Sequence, residues 1–439
     1  MIVFDYLAQI EQFFSTYIGF ALICIIGMYL TFYSGGFQFK VLASIRKNLN
    51  LLILENKNNS HTGVNPFKLY FASVGGMIGI GNIVGVGGAV FIGGVGSIFW
   101  IWVASFLGML VKYCEIYLGV KYRIKNQKGG YDGGPMYYLQ HAFAGSVGQI
   151  MAKFSALLLC IYAIEVYQFN VVVDTLQNFF ALDRGIITFI LLVMVVYAGA
   201  GGVNRVANLC SVMMPIFIVS YVLLCLFIIF SHLAILPQVF KQIFVTAFTG
   251  QAQIGGFIGS SALLCGYQGT SSAIYSGDIG TGYDSVIQSE TTITDPKKQA
   301  QLSIYALLTD TLICFMTTMV IAVTGAWYKL TDISQAQVMA EILKNYIPFS
   351  DVFMTVVLFF AGYTTITAFF AVGLKNAKFL SPRAGPLSFI LCAICSFVFF
   401  AYSTLNNART VMLIVGMLLV LINLVAILVL RKKIDFKYE

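Results

Sequence analysis

Charged residues are scarce in this chain: Asp, Glu, Lys and Arg make up 10% of its 439 residues, where a soluble domain carries about a quarter. That excludes an ordinary soluble enzyme or binding module. Histidine is rarer still. His61, His141 and His232 stand isolated, so the sequence offers no metal cluster. No HExxH motif or Gx-Ser-xG elbow is present to run hydrolytic chemistry, and no repeated filter motif points to an ion channel. The first apolar stretch, TYIGFALICIIGMYLTFY from Thr16, lacks a basic flank and an A-x-A cleavage site. It reads as a retained helix, not a signal peptide.

What remains is apolar. Hydrophobic residues reach 59%, the composition of a polytopic membrane protein whose function lies inside the lipid bilayer. A crossing needs about 20 mostly apolar residues. Eleven stretches qualify, near 16–34, 69–91, 97–119, 149–178, 185–200, 208–234, 254–283, 301–325, 351–373, 386–403 and 410–430. With the N-terminus outside, most basic residues fall in cytoplasmic loops, among them Lys40, Arg46, Lys57, Lys121, Arg123, Lys128, Lys375 and the Arg431–Lys433 run. The outer segments keep only Arg184, Lys241, Lys329, Lys344 and Arg409. The positive-inside rule then gives an outer N-terminus and a cytoplasmic C-terminus in the cell membrane. It also accounts for the net charge of +8 without nucleic acid as a partner. The nine cysteines lie almost entirely in apolar stretches, and the Cys392–Cys395 pair inside PLSFILCAICSFVFFAY reads as packing.

Glycine is placed where it weakens helices. Residues 75–88, GGMIGIGNIVGVGG, are half glycine, and 255–282, GGFIGSSALLCGYQGTSSAIYSGDIGTG, form a second such segment. Each glycine costs a helix about 1 kcal/mol against alanine. The two segments are the second and seventh stretches, five apart, and so run in opposite directions through the bilayer. Such a pair points to an inverted repeat with broken helices, whose freed N–H and C=O groups bind substrate and ions at membrane depth. Close helix packing through GxxxG, as at Gly81–Gly85, is the other reading. The repeat reading divides the chain into an N-terminal helix and connector (1–68), a first five-helix repeat (69–234), an outer connector (235–253), a second repeat (254–430) and a cytoplasmic tail (431–439).

Several motifs resemble the alanine/glycine:cation symporter family, the sodium:alanine symporters. GIGNIVGV (79–86) is similar to its G-T-G-N-I-x-G-V signature, VKYR (120–123) with GGPMYYL (133–139) to V-K-Y-R…G-G-P-M-Y-Y, and DTLICFMTTMVIAVTG (310–325) to its D-T…T-G run. GGVNRV (201–206) followed by Pro215 resembles its G-G-x-x-R-[IV]…P. The resemblance implies an all-α LeuT-type fold of 5+5 inverted repeats with one additional N-terminal helix. It further implies symport of small neutral amino acids with sodium as coupling ion. Ile80 stands where the family has Thr. Gly277 and Asp278 stand in place of the family's Asn and Glu. These departures fall in the expected site.

Candidate substrate-binding residues are Gly79, Gly81, Asn82, Gln168, Asn170, Gly277, Asp278 and Gly280. Asn82 can ligate sodium or bond freed backbone. Gln168 and Asn170 match the family's Q-x-N and read either as substrate ligands or as an interhelical clamp. Asp278, an acid at membrane depth, can meet an ammonium, a cation or a backbone N–H, or carry a proton. By similarity to LeuT-type transporters, the carbonyls of Gly75 and Ile78 and the hydroxyls of Thr364 and Thr365 hold sodium. Helical threonines that bond their own i−4 carbonyls are the alternative. Lys112 and Glu115, three apart, read as a structural or gating pair, and Asp310 as a structural or gating bond. Glu165 and Asp174 flank Gln168 without a clear role. Loops 36–68 and 326–350 lie at the interface or gate the site. The expectation is thus a sodium-coupled symporter working by alternating access, with a proton-coupled transporter of another small amino acid or related solute, coupled through Asp278, as the alternative. Oligomeric state leaves no signal in the sequence.

Overall fold

The computed structural model describes residues 6–7, 11, 20–46, 48, 63–127, 129–254, 258–330 and 333–438. The start of the first expected stretch, His61, Lys57, Lys128 and residues 47 and 49–62 of the 36–68 connector lie outside them. α1 (Phe20–Tyr33) and α2 (Phe37–Ala43) meet at 75°. α3 (Pro66–Met77), one 3-10 turn (Ile80–Asn82) and α4 (Val84–Gly93) form a single crossing bent by 61°. α5 (Gly96–Lys121) leads into a hairpin of β1 (Ile124–Lys125) and antiparallel β2 (Tyr131–Asp132), then α6 (Pro135–Ala142). α7 (Gly145–Tyr162) and α8 (Val166–Phe180) run on as one 36-residue span through Glu165. There follow α9 (Arg184–Gly199), α10 (Gly202–Phe230), α11 (Leu236–Thr249), α12 (Ala262–Gly277) and the short α13 (Tyr283–Gln288). The chain ends with α14 (Pro296–Thr324), α15 (Ala326–Lys329), α16 (Val338–Leu343), α17 (Ser350–Leu380), α18 (Gly385–Ala401) and α19 (Leu405–Leu430).

Local chemistry sets these limits. Pro66 opens α3 behind Asn65, whose side chain accepts from the Phe67 N–H at 2.9 Å, a capped start with proline where no donor is needed. Asp183, Ser261, Asp295 and Thr404 cap α9, α12, α14 and α19 in the same way. Gly325, at φ +69°, stops α14.

Among the described residues six helices are long and apolar enough to cross a membrane, and eight spans result if each bent pair counts as one. The remaining expected stretches fall on α9, α12 and α18, whose lengths of 16, 16 and 17 residues are short for a crossing. α12 is short because the chain breaks after Gly277. The connector expected at 235–253 is more than a loop: α11 fills most of it and lies on α5, where the Trp100 indole donates to the Ala247 carbonyl at 3.0 Å.

Burial sorts the helices. In α17, 83% of the apolar window is covered, against 33% in α10. α17 is therefore interior. α10 turns Val212, Ile216, Val219, Leu223 and Phe227 outward as one apolar stripe, the face a helix shows to lipid. Cys392 and Cys395 are free and exposed on α18, so they sit on the outer surface and not in the core.

The end of the bundle that carries the C-terminal tail is tied shut by ion pairs. Lys375 of α17 reaches Glu290 at 2.6 Å and Asp132 at 3.1 Å, which joins the interior helix to the hairpin and to the segment after α13. Arg123 donates to the carbonyls of Ser289, Thr291 and Ile293 at 2.7–2.8 Å and covers the Tyr131 ring. The tail packs Phe436 against Tyr33, Phe37 and Tyr113. Asp435 pairs with Lys297 at 3.4 Å. The Lys437 backbone N–H, reinforced by Lys297, holds the Asp435 carboxyl below its ordinary value.

One glycine contact couples distant elements. Tyr283 of α13 stacks on Phe369 of α17, centroids 3.8 Å apart, and its hydroxyl lies where a methyl on Gly76 would fall. Gly76→Ala is expected to cost about 1–3 kcal/mol through overpacking. Tyr283→Phe should return part of that loss, read by thermal unfolding in detergent. Equal stability of wild type and Gly76→Ala would contradict the contact.

Candidate functional site

Both glycine-rich segments are broken, and the breaks meet inside the bundle. A chain that leaves the helix at membrane depth must bond its backbone within the protein. At the first break α3 ends at Met77. The Gly79 N–H donates to Asn82 Oδ1 at 3.0 Å and the Ile80 N–H to Gln168 Oε1 at 3.1 Å. The Gly75 carbonyl accepts from Thr365 Oγ1 at 3.0 Å. A methyl on Gly79 would press on Gln168 and lie 2.8 Å from Thr365 Oγ1. Gly75, Gly79, Asn82, Gln168 and Thr365 are therefore one cluster. Ile78 caps α3 within it, fully buried.

At the second break α12 ends at Gly277, and Asp278 takes the left-handed conformation at φ 46°. Its carbonyl accepts from Lys112 Nζ at 2.9 Å, and its carboxylate from the Tyr162 hydroxyl at 2.9 Å. Asn423 Nδ2 donates at 3.0 Å to the carbonyl of Gly280, which stands at φ +78°. The Gly282 N–H donates to Glu115 at 3.3 Å. Lys112 is fully buried, 3.5 Å from Glu115 and 3.8 Å from Asp284. The expected Lys112–Glu115 pair thus exists and extends to a third member.

Asp310 links the breaks. Its Oδ1 accepts from Asn82 Nδ2 at 2.6 Å, and Asn82 also contacts Cys314, which in turn touches Ser276. A Cβ on Gly277 would stand 3.4 Å from Asp310 Oδ2, and one on Gly81 3.4 Å from the Tyr275 ring. Gly81 thus lies against α12, while Gly277, whose Cβ would also meet Leu307 at 2.6 Å, lets α12 approach α14.

Two candidates have other partners. Thr364 Oγ1 donates to its own helix, to Phe360 O at 2.8 Å, and faces Met214; only Thr365 turns its hydroxyl to the break. Asn170 donates to the Ser403 carbonyl at 3.2 Å and accepts from Arg184 at 2.6 Å, in a cluster where Arg184 also pairs with Asp174. Residues two apart on a helix face different sides, so α8 turns Gln168 to the break and Asn170 away from it. Asp284, Glu165, which the sequence names without a role, and Lys375, which it marks only by its charge, join the site and the closed end of the bundle. An acid buried at membrane depth is the signal that marks the first two. Segment 333–350 lies over the opposite end, where a Cβ on Gly88 would meet Gln335. Beside it is a cavity of about 480 Å³ whose walls include Asp174, Gln337 and Asp351. Among the described residues no group of three or more His, Cys, Asp or Glu could hold a metal ion.

Two broken helices back to back, with donors at one break and carboxylates at the other, define a secondary transporter of the LeuT-type fold. The fold matches that of a transporter titled MhsT in complex with L-phenylalanine, with a TM-score of 0.53 at 12% identity over 82% of this chain and 89% of that one. A model of the Sodium:alanine symporter family matches residues 2–437, and the chain belongs to that family. An uncharacterized transporter of Haemophilus influenzae is 30% identical, over 93% of this chain and 89% of its own. The sodium/alanine symporter AgcS of Methanococcus maripaludis is 28% identical, over 90% and 89%. The protein is a multi-pass membrane symporter with sodium as coupling ion, and not an enzyme.

Proposed function

We propose that this chain carries small neutral amino acids, alanine and glycine, into the cell by alternating access. The observation that supports this most is the convergence of Gly75, Gly79, Asn82, Gln168 and Thr365 at one break. Backbone N–H groups at a half-helix end suit a carboxylate, while the Gly75 and Ile78 carbonyls with the Thr365 hydroxyl offer hard oxygens to sodium. An ion bridging α3 and α17 stabilises the state that accepts substrate, and the two ligands together permit the broken-helix bundle to rock against the rest. The two repeats are 69–234 and 254–430. With the N-terminus outside, the Lys375–Glu290–Asp132 lock is the cytoplasmic gate, closed here.

The test is uptake of labelled alanine and glycine into proteoliposomes under an inward sodium gradient. Saturable, sodium-driven uptake is expected. Uptake driven only by a proton gradient would replace the reading with proton coupling through Asp278. Thr365→Ala should raise the sodium concentration for half-maximal uptake at least about tenfold, roughly 1.4 kcal/mol. Thr364→Ala should leave it within about twofold, because that hydroxyl is already held by its own helix. Equal effects of the two substitutions would remove the sodium site from Thr365.

A further inference from the structure

Basic residues are few at the end of the bundle opposite the C-terminal tail, and their surroundings divide them. Of the five that the sequence assigns to that end, Arg184 pairs with Asp174 and Lys344 with Glu341. Lys241 of α11 and Lys329 of α15 instead line one cavity of about 710 Å³, beside His232 and the last turn of α14. No Asp or Glu is among the described residues of its wall. The cavity therefore offers positive charge alone.

Its depth follows from the crossings that frame it. α10 ends at Phe230 and α14 at Thr324, and both are long and apolar enough to span a membrane. His232 and the Gly325–Lys329 stretch come directly after them, so the cavity sits where hydrocarbon gives way to headgroups. The aromatic residues agree. Phe99 and Trp100 of α5 pack on Phe244 and Phe248 of α11 with ring centroids 5.1–5.8 Å apart, and Trp327 and Tyr328 stand in the cavity wall. An aromatic belt marks the membrane interface.

α11 is patterned for that position. Lys241, Phe244, Val245 and Phe248 recur at i, i+3, i+4 and i+7 and are all exposed. They form one face with an ammonium at its start and apolar groups beyond it. Val239, Ile243 and Ala247 turn to the protein. A helix of this kind lies in the interface with its apolar groups toward acyl chains.

The chemistry of the wall suits a phosphodiester. Lys329 Nζ is anchored on the Thr324 carbonyl at 2.9 Å and stands 5.4 Å from the Tyr328 ring centre. An ammonium has three donors, so hydrogens remain for a ligand. His232 is already committed: its ring nitrogens meet the Ile228 carbonyl at 3.0 Å and the Tyr346 hydroxyl at 3.3 Å. Val239, Val245 and Val323 add apolar surface to the same cavity, which a free phosphate would leave unused. We propose that this cavity seats the headgroup of an anionic phospholipid, with Lys241 and Lys329 on its phosphate and its acyl chains along the exposed face of α11. The lipid joins α11 to the α14–α15 turn, the element from which segment 333–350 leaves to cover this end of the bundle.

The experiment follows thermal unfolding of the full chain in neutral detergent, titrated with dioleoyl phosphatidylglycerol or dioleoyl phosphatidylcholine. A ligand of the folded state stabilises it by mass action. Half-maximal stabilisation by phosphatidylglycerol is expected at a mole fraction at least about tenfold below that for phosphatidylcholine, the size that two lysines provide at a charged headgroup. Lys241→Gln/Lys329→Gln should bring the two lipids within about twofold of each other. Both side chains are exposed, so without lipid this variant should unfold as wild type does. Lys344→Gln, at the same end but paired with Glu341, should keep the full preference. Glycerol 3-phosphate, which has the charge without the chains, should not stabilise. A preference retained by the double variant overturns the proposal, as does a wild type that treats the two lipids alike. Loss of the preference in Lys344→Gln also overturns it, because overall charge would then be the cause. Stabilisation by glycerol 3-phosphate equal to that by phosphatidylglycerol overturns it too, and assigns the cavity to a soluble phosphate ester.

Discussion

Lys112→Met is expected to abolish uptake and to cost about 3–5 kcal/mol of stability, the range for removing one partner of a buried ion cluster. Lys112 is fully buried in α5 and faces Glu115 at 3.5 Å and Asp284 at 3.8 Å. Methionine fills similar space but leaves both acids without a counter-charge. It also removes the donor 2.9 Å from the Asp278 carbonyl, so that carbonyl keeps only the longer bond from the Thr281 hydroxyl at 3.3 Å. The triple variant Lys112→Met/Glu115→Gln/Asp284→Asn separates the two effects. Neutralising both acids should restore most of the stability. It should not restore transport, because the neutral Thr281 hydroxyl alone does not replace the ammonium at the Asp278 carbonyl. Thermal unfolding in detergent and sodium-driven uptake read the two quantities independently. A Lys112→Met protein as stable as wild type would show that the cluster carries no such charge.

Gly79→Ala should fold and fail to transport, with kcat/KM for alanine reduced at least about 100-fold, roughly 2.7 kcal/mol. The backbone there is extended, φ −116° and ψ −160°, and open to alanine, so no strain arises from conformation. The whole effect is steric and local. The added methyl presses on the Gln168 carbonyl oxygen and comes within 2.8 Å of Thr365 Oγ1. It separates Gln168 from the Ile80 N–H and Thr365 from the Gly75 carbonyl, which are the two contacts that shape the first break. The crowding and the lost bonds should also lower stability by about 1–3 kcal/mol, a loss that leaves the protein folded and is read separately by thermal unfolding. Full activity in Gly79→Ala would mean that the break is not the binding site.

Much of this was legible in the sequence because helix breaks in lipid require unusual residues. The glycines of 75–88 and the Gly277–Gly282 stretch mark both breaks, and Asn82 and Asp278 sit in them as their chemistry suggests. Lys112 and Glu115 were legible as a pair because spacing on one helix fixes their approach. Their third partner was not, since Asp284 comes from a different element and no spacing rule reaches it. Asn170 illustrates a different failure: a motif names residue types, but the helical turn decides which of two neighbours faces inward. The same rotation divides Thr364 from Thr365. Glu165 was named without a role because its depth cannot be read from the sequence; it is buried within the 36-residue span.

The Gly76–Tyr283 contact bears on how this chain can drift over time. The missing methyl of one residue is the room for the other's hydroxyl, and that ring rests on Phe369. Neither position is free to change by itself. A methyl at 76 becomes tolerable only in a background where the side chain at 283 has already been shortened. The pair should therefore appear among diverged relatives as a matched substitution, with the change at 283 acquired first.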